Sequence, residues 1–339
     1  MAESGHEVTL VVADGAGASR DDGVRIVDVG RLPGHVNRAL RSTARVLAAA
    51  RALDADVYQL HDPALIPAGL HLKRQGKKVV FDAHEDSAAA LLGQRGDGSG
   101  NLLSRSLGAY RRFACRRFDG IIAATPSIRD KFLPINPTTV DVNNFPLLRE
   151  CDAPGVWSNK AAQVCCIGSI AAGRGIRELV RACSLLRTPA RVALAGAFAG
   201  PDLEAEVSAY PGWSRATALG HVDRTATRHV LARSVAGLAT MHPASSRLDA
   251  LPQEMFEYMA AGIPVIVSRF PLWRDIVEGN ACGICVDPAD PMAIAAAIDY
   301  FVLHPDLARR MGENGRRAVL ETYNWQPESR KLVDFYAHL

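Results

Sequence analysis

The sequence predicts an α/β protein of two doubly wound parallel-sheet domains, and three observations predict it. At 339 residues the chain has room for two hydrophobic cores and is long for one. Short β-branched runs alternate with helical patterns through both halves, the pattern of parallel strands joined by crossover helices. Between the halves, residues 143–155 are rich in Asn, Pro, Asp and Gly without hydrophobic periodicity, the composition of a linker.

The expected strands of the first half are 8–12, 24–29, 57–60, 79–82 and 121–124, and those of the second are 164–167, 192–195, 235–240, 264–268 and 284–286. Three helices close the chain, at 291–300, 307–321 and 327–338. The expected division is a domain at 1–150, a domain at 155–322, and a final helix, 325–339, that returns to the first.

Composition removes several classes of function. With 39 basic and 36 acidic residues the net charge is +3, too near balance for a protein that neutralises nucleic-acid phosphates. No run of 18 apolar residues exists, and Met1 is followed by Ala-Glu-Ser-Gly-His-Glu rather than a leader, so a cytoplasmic location is expected. Seven cysteines without framework spacing read as reduced thiols. The one CxxC pair, Cys282 and Cys285, runs into a strand-like stretch and reads as core.

Ligands of open parallel sheets bind beyond the carboxyl ends of the strands, so polar residues just after strands are the candidates. Gly168-Ser169-Ile170-Ala171-Ala172-Gly173-Arg174-Gly175 follows one strand and precedes a helix. Glycines there let backbone N–H groups approach an anion, the helix start adds partial positive charge, and Arg174 offers two parallel donors. An ordinary glycine-rich turn with a solvated Arg reads equally well.

The segment from Arg247 to Ser268 holds Pro252 at a helix start and Gly262 at its stop, before a buried strand. Met255, Phe256, Met259 and Ala260 are expected to face the core, leaving Glu254 and Glu257 together on another face. Such carboxylates can accept from vicinal sugar hydroxyls; equally, acidic residues in a first turn serve the helix dipole. Two further strands end in His61-Asp62 and His84-Glu85-Asp86, which can bind hydroxyls or move protons. Metal binding is disfavoured because no three-ligand spacing is visible.

Asp54-Ala55-Asp56 matches a metal-holding DxD pattern but lies at the amino end of its strand, and is read as helix-end chemistry. Over residues 103–118, Arg105, Arg111, Arg112, Arg116 and Arg117 interleave with Leu103, Leu107, Tyr110, Phe113 and Phe118. This basic amphipathic pattern suits peripheral contact with an anionic membrane, or a solvated face over a core-facing stripe.

Taken together these segments resemble the retaining glycosyltransferases of family 4, group 1. The resemblance is collinear along almost the whole chain. It runs through Gly5-His6-Glu7-Val8-Thr9-Leu10, His61-Asp62-Pro63, Asp82-Ala83-His84-Glu85-Asp86, Asn144-Phe145-Pro146 and Gly168 to Gly175. It continues through Phe256-Glu257-Tyr258-Met259-Ala260-Ala261-Gly262-Ile263-Pro264-Val265, Phe270-Pro271-Leu272-Trp273 and Tyr323-Asn324-Trp325.

The resemblance implies the GT-B fold, two facing Rossmann-like domains, with the nucleotide sugar on the C-terminal one and the acceptor on the N-terminal one. It implies that Glu257 binds the donor ribose, that Asp249 stands where the family has its first Glu, and that Arg174 replaces the usual phosphate-binding Lys. Gly168, Ser169, Gly173, Gly175 and Glu254 would complete the donor site, with Ser169 in place of a common Arg. His84 would lie near the transferred sugar, and His61, Asp62 and Glu85 would face the acceptor.

The implied chemistry retains anomeric configuration with no metal and no cofactor. A UDP- or GDP-linked hexose or N-acetylhexosamine would pass to a glycan, lipid-linked or small-molecule acceptor, with catalysis resting on His84, Arg174 and Asp249. Two other readings stay open: a GT-B sugar-nucleotide epimerase, and a non-catalytic sugar-nucleotide-binding or scaffold protein. Relatives usually begin with a strand and a glycine-containing loop before the Gly-His-Glu-Val-Thr stretch, so the first sheet is expected to lack its first strand.

Overall fold

The structure is a computed structural model and describes residues 1–31, 41–84, 102–150, 155–244, 248 and 250–339. The β-branched runs form strands where both faces are covered. In the second half these are β8 (Gln163–Ile167), β9 (Arg191–Ala195), β10 (Ala216–Gly220), β11 (Ala236–Ala239), β12 (Val265–Ser268) and β13 (Gly283–Val286). They make one parallel sheet in the order β10-β9-β8-β11-β12-β13. β10 was not expected: its Ala-Thr-Ala-Leu-Gly sequence has little β-branched character, and as an edge strand it is mostly exposed.

The first half differs from the expectation of a single parallel sheet. β1 (Thr9–Val12) and β3 (Val24–Asp28) pair in parallel, and β2 (Ser19–Asp21) joins β3 antiparallel, giving the order β1-β3-β2. β4 (Val57–Leu60), β5 (Lys78–Ala83), β6 (Gly120–Ala123) and β7 (Thr139–Asp141) form a second, wholly parallel sheet in that order. β1 and β4 are therefore both edge strands, and among the described residues no strand joins them. Asp22 and Gly23 turn β2 into β3 with φ of 43° and 82°, the positive values that a tight hairpin requires.

Contacts divide the chain into unit 1, Met1–Asn143 with Glu328–Leu339, and unit 2, Asn144–Pro327. In unit 1, Phe81, Ile121, Ile128 and Phe132 pack between the four-stranded sheet and its helices, α1 (Thr43–Leu53), α2 (Ile66–Arg74), α3 (Leu102–Cys115) and α4 (Pro126–Phe132). Burying a side chain of that size contributes about 1.5–3 kcal/mol.

Unit 2 has a core on each face of its sheet. One forms with α5 (Ile176–Leu185) and includes Leu179, Val192 and Phe301; the other includes Phe256, Tyr258 and Trp273. α6 (Pro201–Ser208), α7 (Arg224–Arg233), α8 (Gln253–Ala260) and α9 (Pro271–Gly279) follow, then α10 (Pro291–Leu303), α11 (Pro305–Glu321) and α12 (Trp325–Ala337). Cys282 and Cys285 are free and buried, and burial pushes their thiols up to about 12 and about 11. Among the described residues no helix is long and apolar enough to cross a membrane.

Candidate donor and acceptor sites

In unit 2, β8 is flanked by β9 on one side and β11 on the other, so strand order reverses at its carboxyl end. The loop Gly168 to Gly175 leaves from that point and enters α5 directly. Its path needs glycine: Gly175 has φ +76°, and a Cβ there would lie 2.1 Å from the Thr240 carbonyl oxygen. The Ile167 N–H donates to the Tyr258 hydroxyl at 2.8 Å, which ties the loop's origin to α8. Ser169 is exposed, while Gly173 accepts from the backbone N–H of His242 at 3.0 Å.

Arg174 is half-buried on this loop and pairs with the Glu254 carboxylate from the first turn of α8. Burial pushes the Glu254 carboxyl above the usual range, and the guanidinium pulls in the other direction without prevailing. Three residues on, Glu257 lines a separate pocket of about 510 Å³ with Phe145, Arg224, Arg228, Gln253 and Trp325. Glu254 thus contacts Arg174 of the loop, while Glu257 lines the pocket. The turn into α8 is fixed by Trp273, whose indole N–H donates to the Ala250 carbonyl at 2.7 Å. Asp249 lies outside the described residues.

In unit 1 the parallel register Leu60↔Phe81 sets His61 beside Asp82 at the carboxyl ends of β4 and β5. Period-2 alternation puts Gln59 and His61 on one face of β4, and Asp82 and His84 on one face of β5. His61 Nδ1 is 3.1 Å from Asp82 Oδ2, and His84 Nε2 is 3.6 Å from Asp82 Oδ1. The two rings lie near parallel, with centroids 6.2 Å apart. Gln59 donates to Asp82 at 2.8 Å and accepts from the Tyr336 hydroxyl at 2.5 Å.

Asp62 does not join this group: its carboxylate caps the turn at Pro63–Leu65 by accepting from the Ala64 N–H at 2.7 Å. Glu85 lies outside the described residues. Asp54, of the DxD pattern, ends α1 in a left-handed conformation and pairs with Lys77 at 2.7 Å.

Two family models match, "Glycosyl transferases group 1" over residues 151–318 and "Glycosyl transferase 4-like domain" over residues 1–143. The chain belongs to the group 1 glycosyltransferases of family 4 type. It is similar to the MMP alpha-(1->4)-mannosyltransferase of Mycolicibacterium hassiacum, 33% identical over 24% of this chain and 20% of that one. It is also similar to the GDP-mannose-dependent alpha-(1-6)-phosphatidylinositol monomannoside mannosyltransferase of Mycobacterium tuberculosis, 29% identical over 33% of this chain and 29% of that one. The matched stretches thus span under a third of these relatives' length.

Among solved structures, sucrose-phosphate synthase from Thermosynechococcus elongatus superposes with a TM-score of 0.79 at 18% identity, covering 99% of this chain and 90% of that one. Anabaena HepE in complex with UDP gives 0.75 at 12% identity, covering 98% and 100%. The fold is GT-B.

In unit 2, strand-end His242 escaped the sequence reading although the rule that selected His61 and His84 applies to it. It follows β11, and its Nε2 lies 2.8 Å from the carboxylate of Glu178, a buried residue in the first turn of α5. The pair braces the helix start beside Arg174.

Proposed function

We propose that the protein is a retaining, metal-independent glycosyltransferase that moves a hexose or N-acetylhexosamine from a UDP- or GDP-sugar to a glycan, lipid-linked or small-molecule acceptor. One observation carries the reading: the glycine-shaped loop that starts α5 at the point of strand-order reversal, with Arg174 upon it. Helix-start N–H groups and a guanidinium stabilise negative charge without a metal, and here that charge would develop on the departing diphosphate. The diphosphate then takes the acceptor's proton as the acceptor oxygen attacks from the same face. Gly168, Ser169, Gly173 and Gly175 surround the diphosphate, and Glu257 accepts from the ribose hydroxyls in the pocket it lines.

The nucleotide choice is supported by HepE, whose structures hold UDP and UDP-glucose, and by the GDP-mannose-dependent relative. On this reading His84 and Asp249 act at the transferred sugar, while His61, Asp62 and Glu85 meet the acceptor. No cofactor takes part.

A lipid-linked acceptor at the inner face of the membrane is supported by α3. There Leu107, Tyr110 and Phe113 are exposed, a stripe at i, i+3 and i+6, with Arg117 stacked 3.7 Å over Phe113. The core side of this helix is instead taken by Ala114 and Cys115.

A thermal-shift screen of UDP-, GDP-, ADP- and dTDP-sugars tests the donor class. A donor at a hundred times its Kd adds about 2.7 kcal/mol of stability. Arg174→Ala and Glu257→Ala should each reduce that shift by at least half. NMR of the product fixes anomeric retention, and turnover of donor without acceptor would point to epimerisation.

A further inference from the structure

We propose that unit 1 carries a binding site for a divalent transition ion of the zinc class, with His61, Asp82 and His84 as its three protein ligands. One ligand atom from each of the three lies within 4.8 Å of those of the other two. His61 Nδ1 lies 3.1 Å from one Asp82 oxygen and His84 Nε2 3.6 Å from the other. Both are close to the separation of about 3.4 Å between neighbouring ligands on a tetrahedral ion with bonds of about 2.1 Å, so one carboxylate oxygen has to be shared for the set to close. Both imidazoles are 53% exposed, which leaves them room to turn toward a shared ion.

The chemistry of the donors selects the ion. Two imidazole nitrogens and one carboxylate oxygen suit zinc and its first-row neighbours; magnesium and calcium require mostly oxygen ligands. Asp82 is the anchor, because it is buried and the Gln59 amide holds its carboxylate at 2.8 Å, with Tyr336 in turn holding Gln59. A ligating carboxylate held by its own hydrogen-bond partner is the usual construction of a metal site. The sequence hides this set because Asp82 is contributed by the interior of β5 and meets His61 only through strand pairing.

Calorimetric titration of the full chain with zinc chloride, without any sugar present, tests the proposal. One zinc per chain is expected, with His61→Ala and His84→Ala each weakening Kd at least about tenfold and Gln59→Ala weakening it about 10–100-fold. Magnesium chloride should give no heat of binding. Asp82→Asn should also abolish binding, but because Asp82 is buried the exposed His61 variant decides the matter if that chain misfolds.

Absence of zinc binding to the unaltered chain, or binding equally tight in the His61 and His84 variants, would overturn the proposal. One consequence rests on the transferase reading: an ion that occupies the His84 lone pair denies it to substrate, so zinc should inhibit transfer and a chelator restore it. Because the titration uses no donor or acceptor, failure of the metal site and failure of the transferase reading are separately visible.

Discussion

The two units hold their innermost site carboxylates in different company. Glu254 of unit 2 and Asp82 of unit 1 are equally covered, each side chain 12% exposed. Glu254 faces a guanidinium, which keeps its charge at any ordinary pH. Asp82 faces the Gln59 amide and two half-exposed imidazoles, whose nitrogens can donate, accept or ligate. Unit 2 thus presents fixed positive charge beside a helix start, as the proposed diphosphate site would require, whereas unit 1 presents groups whose partner can change.

Removing the fixed charge should have the largest effect. Arg174→Ala should lower kcat/KM by about 100-fold or more, the scale seen when one donor to a developing oxyanion is lost. Because it leaves Glu254 nearly buried and unpaired, it should also lower stability by about 2 kcal/mol; this is less than the full cost of breaking a buried pair because Arg174 is 27% exposed. His84→Ala, at the matching position of unit 1, should cost under about 0.5 kcal/mol of stability, because its side chain is 53% exposed. Melting curves of the two variants side by side check the contrast, and equal losses would remove it. Glu257→Gln comes next: donor Kd should weaken about tenfold through loss of a charge-assisted hydrogen bond.

The pH dependence of stability sharpens the same contrast within unit 2. Burial raises the Glu254 carboxyl, so the native state holds that proton to a higher pH than the unfolded chain does. Between the ordinary Glu value and the raised native one, stability therefore falls as pH rises, by at most about 1.4 kcal/mol per pH unit. Glu206 behaves in the opposite sense: its hydrogen bonds with Arg177 pull it down to about 2, so its contribution is present above the ordinary value and is lost as pH falls towards 2. Melting temperatures measured from pH 2 to 8 should lose the fall above the ordinary Glu value in Glu254→Gln, and should lose only the acid-side slope below it in Glu206→Gln. A Glu254→Gln profile that overlays the parent's would show that the buried carboxyl carries no linkage.

The comparison also explains what could be read from sequence. The inner strands of unit 2 were legible because Val, Ile and Cys runs such as β8 are covered on both faces, and the α8 segment was legible because its helix signals and apolar spacing agree. β7 and β10 were not, being short or exposed edges with weak β character. The β2–β3 hairpin had a readable signal in Asp22-Gly23, though its outer strand is wholly polar and exposed. Arg174 and Glu254 were each singled out, but their pairing spans 80 positions and no local pattern encodes it. Strand-end His61 and His84 were visible, whereas Asp82 reads as an ordinary strand residue until the β4–β5 register sets it between them.

The smallest expected effect on stability separates the outer faces of the two units. Leu107, Tyr110 and Phe113 of unit 1 are 44%, 38% and 48% exposed, so Phe113→Ser removes little buried surface and should shift stability by less than about 0.5 kcal/mol. If this stripe meets a membrane, the same change should weaken sedimentation with anionic vesicles several-fold, because the ring and the Arg117 stacked on it contribute apolar area and charge together. Met292 on α10 of unit 2 is 71% exposed and supplies the control, since Met292→Ser should alter neither stability nor vesicle binding. Equal vesicle binding by all three proteins would leave the exposed stripe of α3 without a role at the membrane, whereas loss confined to Phe113→Ser would assign the lipid-facing side to unit 1.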